Sequence, residues 1–107
     1  MESKYAKQRI INDIKSDDLQ IQVTGYVEDI NGNKSFILND DTGKIKVNLK
    51  DIILNYKEKD IVNVIGDLQI TTSGEKILEA NIIQDMKKLN FKYYKRLYKL
   101  KKEILEE

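Results

Sequence analysis

The chain has 107 residues, no cysteine and no histidine, and 35% of its residues are charged. A chain of this length forms one domain with a modest core. Without cysteine or histidine, a disulfide framework, the usual zinc ligands and histidine acid–base catalysis are all excluded. We therefore expect a small domain without metal and without cofactor.

The charges are unevenly distributed. Residues 1–86 contain 11 Lys and Arg against 15 Asp and Glu, a net charge of −4, whereas residues 87–107 contain 8 against 3, a net charge of +5. No apolar run approaches the ~18 residues of a membrane-spanning helix, and the N-terminus lacks the apolar segment of a secretory signal. We expect an intracellular protein with a mildly acidic body and a basic tail.

The first half of the chain predicts an arm followed by two strands. Apolar residues within 4–14 indicate an extended arm or a short helical turn laid over one end of the following strands. Residues 20–30 alternate between apolar and polar, as a half-buried strand does, and Gly25 in the middle indicates a bulge or tight bend. Asn31-Gly32-Asn33 is typical of a hairpin turn, and residues 35–39 form the second strand.

Three more strands are expected after a second turn at Asp40, Asp41 and Gly43. In the third, 44–50, lysines alternate with apolar residues. A short helix is expected over 51–56. A fourth strand over 60–71 has a glycine in its middle, and a glycine-containing turn leads to a fifth strand over 76–84.

Five strands in this order match an OB-fold, a five-stranded Greek-key barrel whose outer face commonly binds oligonucleotides. Glycines in the middle of the first and fourth strands suit a small, strongly coiled barrel. We predict a mainly β fold with an N-terminal arm at 1–18, the barrel at 19–86, and a long C-terminal α-helix at 87–107.

The tail carries an apolar seam. From Met86 its apolar residues follow at spacings of 7, 4, 3 and 4, an a/d pattern with Asn90 at one a position. Twenty-one helical residues span about 30 Å, more than a small barrel covers, and lysines at the start oppose the helix dipole. We predict an amphipathic helix for subunit assembly; the alternative is a helix folded back on its own barrel. The predicted interface residues are Tyr93, Tyr94, Leu97, Tyr98, Leu100 and Ile104.

The tail tyrosines also allow a second interpretation. Together with the neighbouring lysines they fit an aromatic and basic patch for nucleic acid. Tyrosine is also enriched at protein interfaces, where the ring is buried and the hydroxyl stays wet. Their place on and beside the seam favours the protein interface.

The second turn contains Asp41-Thr42-Gly43, the signature triplet of aspartic proteases. A protease would need a second carboxylate from a dimer mate, and Asp40 and Lys44 beside the triplet would disturb a dry, symmetric dyad. The turn is the simpler interpretation, because Asp side chains bond nearby backbone amides and glycine supplies a positive φ.

The stretch VTGYVEDINGNKSFILNDDTGKIKVNL, followed by KDIVNVIGDLQ, resembles the OB-fold of replication protein A subunits and their archaeal relatives. The resemblance covers about residues 19–84. The tail extends it, because the small and middle subunits of that complex end in a helix that joins a heterotrimeric bundle. It implies that single-stranded DNA lies across strands 2 and 3, with bases stacked on aromatics near the end of strand 3 and in the last hairpin.

The sequence departs from that pattern at both stacking positions. Lys50 stands at the first, and the last hairpin offers threonine and lysine. The remaining candidates for nucleic-acid binding are Tyr26, Lys34, Phe36, Lys44, Lys46, Asn48, Lys50, Thr71 and Lys76. Phe36 is equally consistent with the core, and the lysine row with a solvated face that opposes aggregation. With an acidic barrel, we expect DNA affinity in the micromolar range or weaker at physiological salt.

These features predict a subunit of a single-stranded-DNA-binding complex in DNA replication or repair, not an enzyme. Its partners would be other subunits, held through the C-terminal helix, and single-stranded DNA, with no membrane. An isolated chain can be expected to self-associate through the same helix. The alternative is a free-standing OB-fold module for tRNA or another structured RNA.

Overall fold

The computed structural model describes residues 7–50, 52, 55–86 and 90–105. Within them, six strands form one sheet, with a 3₁₀ turn between the first two strands and a helix after the last. The elements are β1 (Lys7–Gln8), the 3₁₀ turn (Ile11–Asp13), β2 (Gln20–Asn31), β3 (Ser35–Asn39), β4 (Lys44–Asn48), β5 (Ile61–Ile70), β6 (Lys76–Asp85) and α1 (Phe91–Leu105). Of the short helix predicted over 51–56, residues 51, 53 and 54 lie outside the described residues, and Ile52, Asn55 and Tyr56 have no regular structure.

Strand β2 closes the sheet because it pairs with both β5 and β3, and the short β1 lies parallel to its first residues. From Gln20 to Tyr26 it is antiparallel to β5, and from Tyr26 onward it is antiparallel to β3. Strand β4 is antiparallel to β3 and parallel to β6, and β6 returns antiparallel to β5. The strands therefore form the five-stranded barrel of an OB-fold, so the predicted fold class is confirmed.

Two glycines permit the close strand approaches of this barrel. A Cβ on Gly25 would lie 2.8 Å from the carbonyl oxygen of Asn39, where β2 changes partner. A Cβ on Gly66 would meet the carbonyl oxygen of Glu79, where the register of β5 and β6 shifts. The bends predicted from both glycines thus have a steric cause.

The core is formed by the inward half of each alternating strand. In β4, for example, Ile45 and Val47 are buried while Lys44 and Lys46 are exposed. The buried cluster comprises Ile14, Ile21, Val23, Val27, Phe36, Leu38, Ile45, Val47, Leu49, Val62, Val64, Leu68, Leu78 and Ala80.

Helix α1 begins at Phe91, and Asn90 is its N-terminal cap. The Asn90 side-chain oxygen accepts a hydrogen bond from the Tyr93 amide at 3.1 Å. Asn90 is therefore not an a position inside the helix, and that prediction is wrong. Residues 87–89 and 106–107 of the predicted helix lie outside the described residues.

The described residues contain neither a membrane-spanning helix nor a cluster of metal ligands. No helix among them is long and apolar enough to cross a membrane. No group of acidic residues among them is arranged to hold a metal ion.

Candidate nucleic-acid and subunit interfaces

A groove of about 500 Å³ lies over the outer face of β3 and β4, beside the turn between β5 and β6. Lys44 and Lys46 reach it from β4, Lys76 from the start of β6, and Ile37 from β3. We call this surface the lysine groove. The structure thus brings three of the predicted nucleic-acid-binding lysines into one concave surface.

The lysine groove keeps most of its positive charge available. The Lys44 ammonium lies 3.5 Å from the Glu28 carboxylate, but both side chains are accessible to solvent, and such pairs contribute at most about 1 kcal/mol. Lys46 and Lys76 make no ion pair with any described residue. Glu75 also lines the groove and limits its net charge.

Four other predicted residues lie outside this groove. Lys34 is exposed in the turn between β2 and β3, and Asn48 lies at the end of β4. The Lys50 ammonium is 3.2 Å from the Glu79 carboxylate. Thr71 stabilises the β5–β6 turn, because its hydroxyl oxygen accepts a hydrogen bond from the amide of Glu75.

Neither predicted aromatic is free to stack on a base. Phe36 is fully buried in the core, because the alternation of β3 turns it inward, so its assignment to nucleic-acid binding is wrong. Tyr26 is half-buried, and its ring meets Phe91 of α1 edge to face with centroids 5.0 Å apart. The described residues that line the lysine groove include no aromatic.

The turn from Asp40 to Gly43 is built around a buried carboxylate. One oxygen of Asp40 accepts hydrogen bonds from the amide and the hydroxyl of Thr42, at 2.9 and 2.6 Å. The other accepts one from the amide of Ile11 at 2.7 Å. Asp40 therefore ties the N-terminal arm to the barrel, as well as holding its own turn.

The backbone of this turn differs from the prediction. Asp41, with φ of 73°, adopts the left-handed conformation expected of Gly43, which is not among the positive-φ residues. Glycine at 43 leaves room for Ile11, since a Cβ there would lie 3.0 Å from the Ile11 side chain and would require that side chain to shift. The left-handed residue is an aspartate, a type that tolerates this conformation better than most.

The same geometry does not fit a protease. A catalytic dyad requires two carboxylates that share a proton. Asp41 instead forms an ion pair with the Lys95 ammonium at 2.9 Å, and its side chain is 55% exposed. Asp40 already accepts three hydrogen bonds.

One face of α1 docks on the chain's own N-terminal arm. The Tyr94 hydroxyl accepts a hydrogen bond from the Gln8 amide at 2.6 Å, and the Tyr98 hydroxyl donates one to Asp13 at 3.2 Å. The helix therefore folds back on its own barrel, and Tyr94 and Tyr98 are wrongly assigned to the subunit interface. The docked face consists of Phe91, Tyr94, Lys95, Tyr98 and Lys102.

The other predicted interface residues remain exposed on the far side of α1. Tyr93 is 56% exposed, Leu97 41%, Leu100 48% and Ile104 74%. We call these four residues the exposed seam. They follow one another at spacings of 4, 3 and 4, so they form one apolar stripe on the helix.

A buried ion pair in the arm was missed by sequence reasoning. Two nitrogens of the Arg9 guanidinium each lie 3.1 Å from an oxygen of Asp18, and both side chains are nearly buried. Burial disfavours both charges, yet the hydrogen bonds between them lower the pKa of Asp18 and raise that of Arg9. Burial and the nearby Asp13 raise the pKa of Tyr98, which keeps its hydroxyl protonated as a donor.

Comparison with solved structures places the architecture among known proteins. A chain of the S. pombe Stn1–Ten1 complex matches with a TM-score of 0.75 and 18% identity, over 95% of this chain and 96% of that one. The second OB-fold domain of replication protein A from Methanococcus maripaludis matches with a TM-score of 0.66 and 21% identity, over 78% and 98%. This chain is an OB-fold protein.

A chain from a larger assembly is also similar to this one, and here too the similarity is one of fold. A chain of a replication protein A heterotrimer bound to single-stranded DNA matches this OB-fold with a TM-score of 0.59 and 18% identity, over 74% of this chain and 66% of that chain. No protein-family model and no curated protein matches the sequence. The 95% coverage of the Stn1–Ten1 match takes in most of α1 as well as the barrel.

Proposed function

We propose that this OB-fold chain is a small subunit of a single-stranded-DNA-binding complex resembling replication protein A. It joins a partner subunit through the exposed seam of α1 and adds weak DNA contacts from the lysine groove. The exposed seam is the observation that carries this proposal. It is a row of four accessible apolar side chains on a helix whose other face is already docked.

The chemistry of the seam favours a helix as its partner. From residue 93 to 104 it extends about 16 Å along α1, with the spacing of helices that pack side by side. Contiguous exposed apolar surface marks sites of protein interaction. The named assemblies of the structural neighbours, the Stn1–Ten1 complex and the replication protein A heterotrimer, support an association of OB-fold subunits.

The lysine groove supports weak DNA binding by the chain alone. It supplies three ammonium groups for phosphates but no aromatic ring for bases, and stacking is worth about 1–3 kcal/mol per base. Affinity that rests on phosphates alone falls steeply with salt. The contribution of this subunit to DNA binding is therefore secondary to its assembly.

Sedimentation equilibrium of the isolated chain at increasing concentration tests the seam. Without its partner, the native chain should exceed its monomer mass of 12.5 kDa by pairing exposed seams. Leu100→Asp should remain a monomer, because it places a charge in the middle of the seam. Its neighbour Lys101, also exposed, gives the matched control Lys101→Asp, which should associate as the native chain does.

Circular dichroism of both variants should show the native spectrum, so that loss of fold is separated from loss of association. A native chain that stays monomeric at the highest concentration would contradict the seam as an association surface. Equal association of Leu100→Asp and Lys101→Asp would contradict it as well.

A further inference from the structure

Helix α1 presents a third stripe that neither the docking contacts nor the seam uses. Lys92, Arg96 and Lys99 follow one another at spacings of 4 and 3, which places them on one side of the helix between the docked face and the exposed seam. We call these three residues the basic stripe. It ends at Glu103, one step further along the same line.

The charges of the basic stripe are not neutralised within the described chain. The lysines of the docked face have acidic partners, Lys95 with Asp41 and Lys102 with Asp13. The three basic-stripe residues make no ion pair with any described residue. Lys92 also lies in the first turn, where a positive charge is unfavourable for the helix and no acid is present. Among the described residues, therefore, no ion pair uses the stripe to stabilise α1.

The basic stripe lies beside a second groove, of about 920 Å³, between α1 and the N-terminal arm. Lys99 lines it from the helix, and Asn12 and Thr42 line it from the opposite side. The lysine groove begins close to these two residues. Thr42 is two residues before Lys44, and Asn12 is next to Ile11; Lys44 and Ile11 both line the lysine groove. The two grooves thus adjoin where the arm meets the β3–β4 turn, at the hydrogen bond from the Asn12 amide to the Thr42 hydroxyl oxygen.

We propose that single-stranded DNA passing through the lysine groove continues along α1, with its phosphates bound by Lys92, Arg96 and Lys99. This inference rests on the proposed function. The ligand chemistry follows from the stripe, whose three side chains offer positive charge for phosphates. A partner helix on the exposed seam leaves the basic stripe accessible, so the strand would run in the crevice between this barrel and the partner.

The salt dependence of DNA binding tests the stripe without requiring tight binding. Fluorescence anisotropy would be measured at several low salt concentrations with oligo(dT) longer than the ~4–16 nucleotides that one OB-fold covers. Each phosphate contact contributes about 0.7 to the slope of log K against log salt on a single strand. The variant Lys92→Gln/Arg96→Gln/Lys99→Gln should therefore lower the slope by about two.

The matched control removes the same charge elsewhere. Lys15→Gln/Lys57→Gln/Lys101→Gln changes three exposed lysines, and Lys101 lies about 160° around the helix from Lys99. Its slope should equal the native slope. An oligo(dT) too short to leave the lysine groove should give the same slope for all three proteins.

The outcomes separate the two proposals. If the native chain binds and both triple variants give equal slopes on the long oligonucleotide, DNA does not follow α1 and only this inference is overturned. If the native chain binds no single-stranded DNA at low salt, the proposed function and this inference are both overturned.

Discussion

Replacing Asp40 by asparagine tests whether a buried carboxylate joins the N-terminal arm to the barrel. The side chain is fully buried and accepts three hydrogen bonds of 2.6–2.9 Å from Thr42 and Ile11. Asparagine keeps one acceptor oxygen, but its NH₂ group must then face a donor. Loss of charge assistance and one unsatisfied buried donor each cost about 1–3 kcal/mol. Since neutralisation also relieves the burial of a charge, we expect a net loss of about 2–3 kcal/mol in unfolding free energy.

Urea unfolding followed by circular dichroism at neutral pH measures this loss, with Asp41→Asn as control. That variant makes the same charge change at the next residue, but Asp41 is 55% exposed and has one ion pair, with Lys95. Exposed pairs contribute about 0–1 kcal/mol, and asparagine tolerates the left-handed φ at this position. Equal destabilisation by the two substitutions would refute the role assigned to Asp40.

Three further predictions concern stability. Phe91→Ala removes the contact with Tyr26 and should lower the unfolding free energy by about 3 kcal/mol. The control Tyr93→Ala should change the unfolding free energy by less than about 0.5 kcal/mol. Equal urea midpoints for the two variants would contradict the docking of α1. Gly66→Ala forces a methyl group onto the Glu79 carbonyl and should lower the unfolding free energy by about 1–3 kcal/mol and the melting temperature by about 4 °C or more. The control Ser73→Ala, in the exposed turn, should melt as the native chain does. Because the pKa of Asp18 is lowered in the folded state, its contribution is present above the unfolded pKa of about 4 and is lost as pH falls through the folded pKa. As pH falls, the unfolding free energy should decrease less steeply in Asp18→Asn than in the native chain. Equal slopes of unfolding free energy against pH would show that the Arg9–Asp18 pair is not the source of the acid sensitivity.

The barrel was predictable from sequence because its determinants are local. Period-2 alternation fixes which residues of β4 face the core, and the turn at Asn31-Gly32-Asn33 fixes the first hairpin. The lysine groove followed from the same alternation, since Lys44 and Lys46 share the outer face of β4. Phe36 shares the inward face of β3 with Leu38, and its aromatic type alone does not reveal this.

The orientation of α1 depends on contacts that are distant in sequence. The exposed seam, with its leucines and isoleucine, is the more regular apolar stripe and so indicates a packing face. The face that docks instead combines Phe91 and two tyrosines with polar partners, such as Asp13, which is 85 residues from Tyr98. No periodicity in the tail encodes those partners, and nothing in the spacing of Arg9 and Asp18 identifies them as a buried pair.

The dissociation constant of the isolated native chain for oligo(dT) at physiological salt tests most directly whether this OB-fold acts as a subunit. A groove with three lysines and no stacking aromatic, on a barrel of net negative charge, predicts a value in the micromolar range or weaker, with tighter binding at low salt. A submicromolar constant that changes little with salt would contradict the account and favour a free-standing nucleic-acid-binding protein.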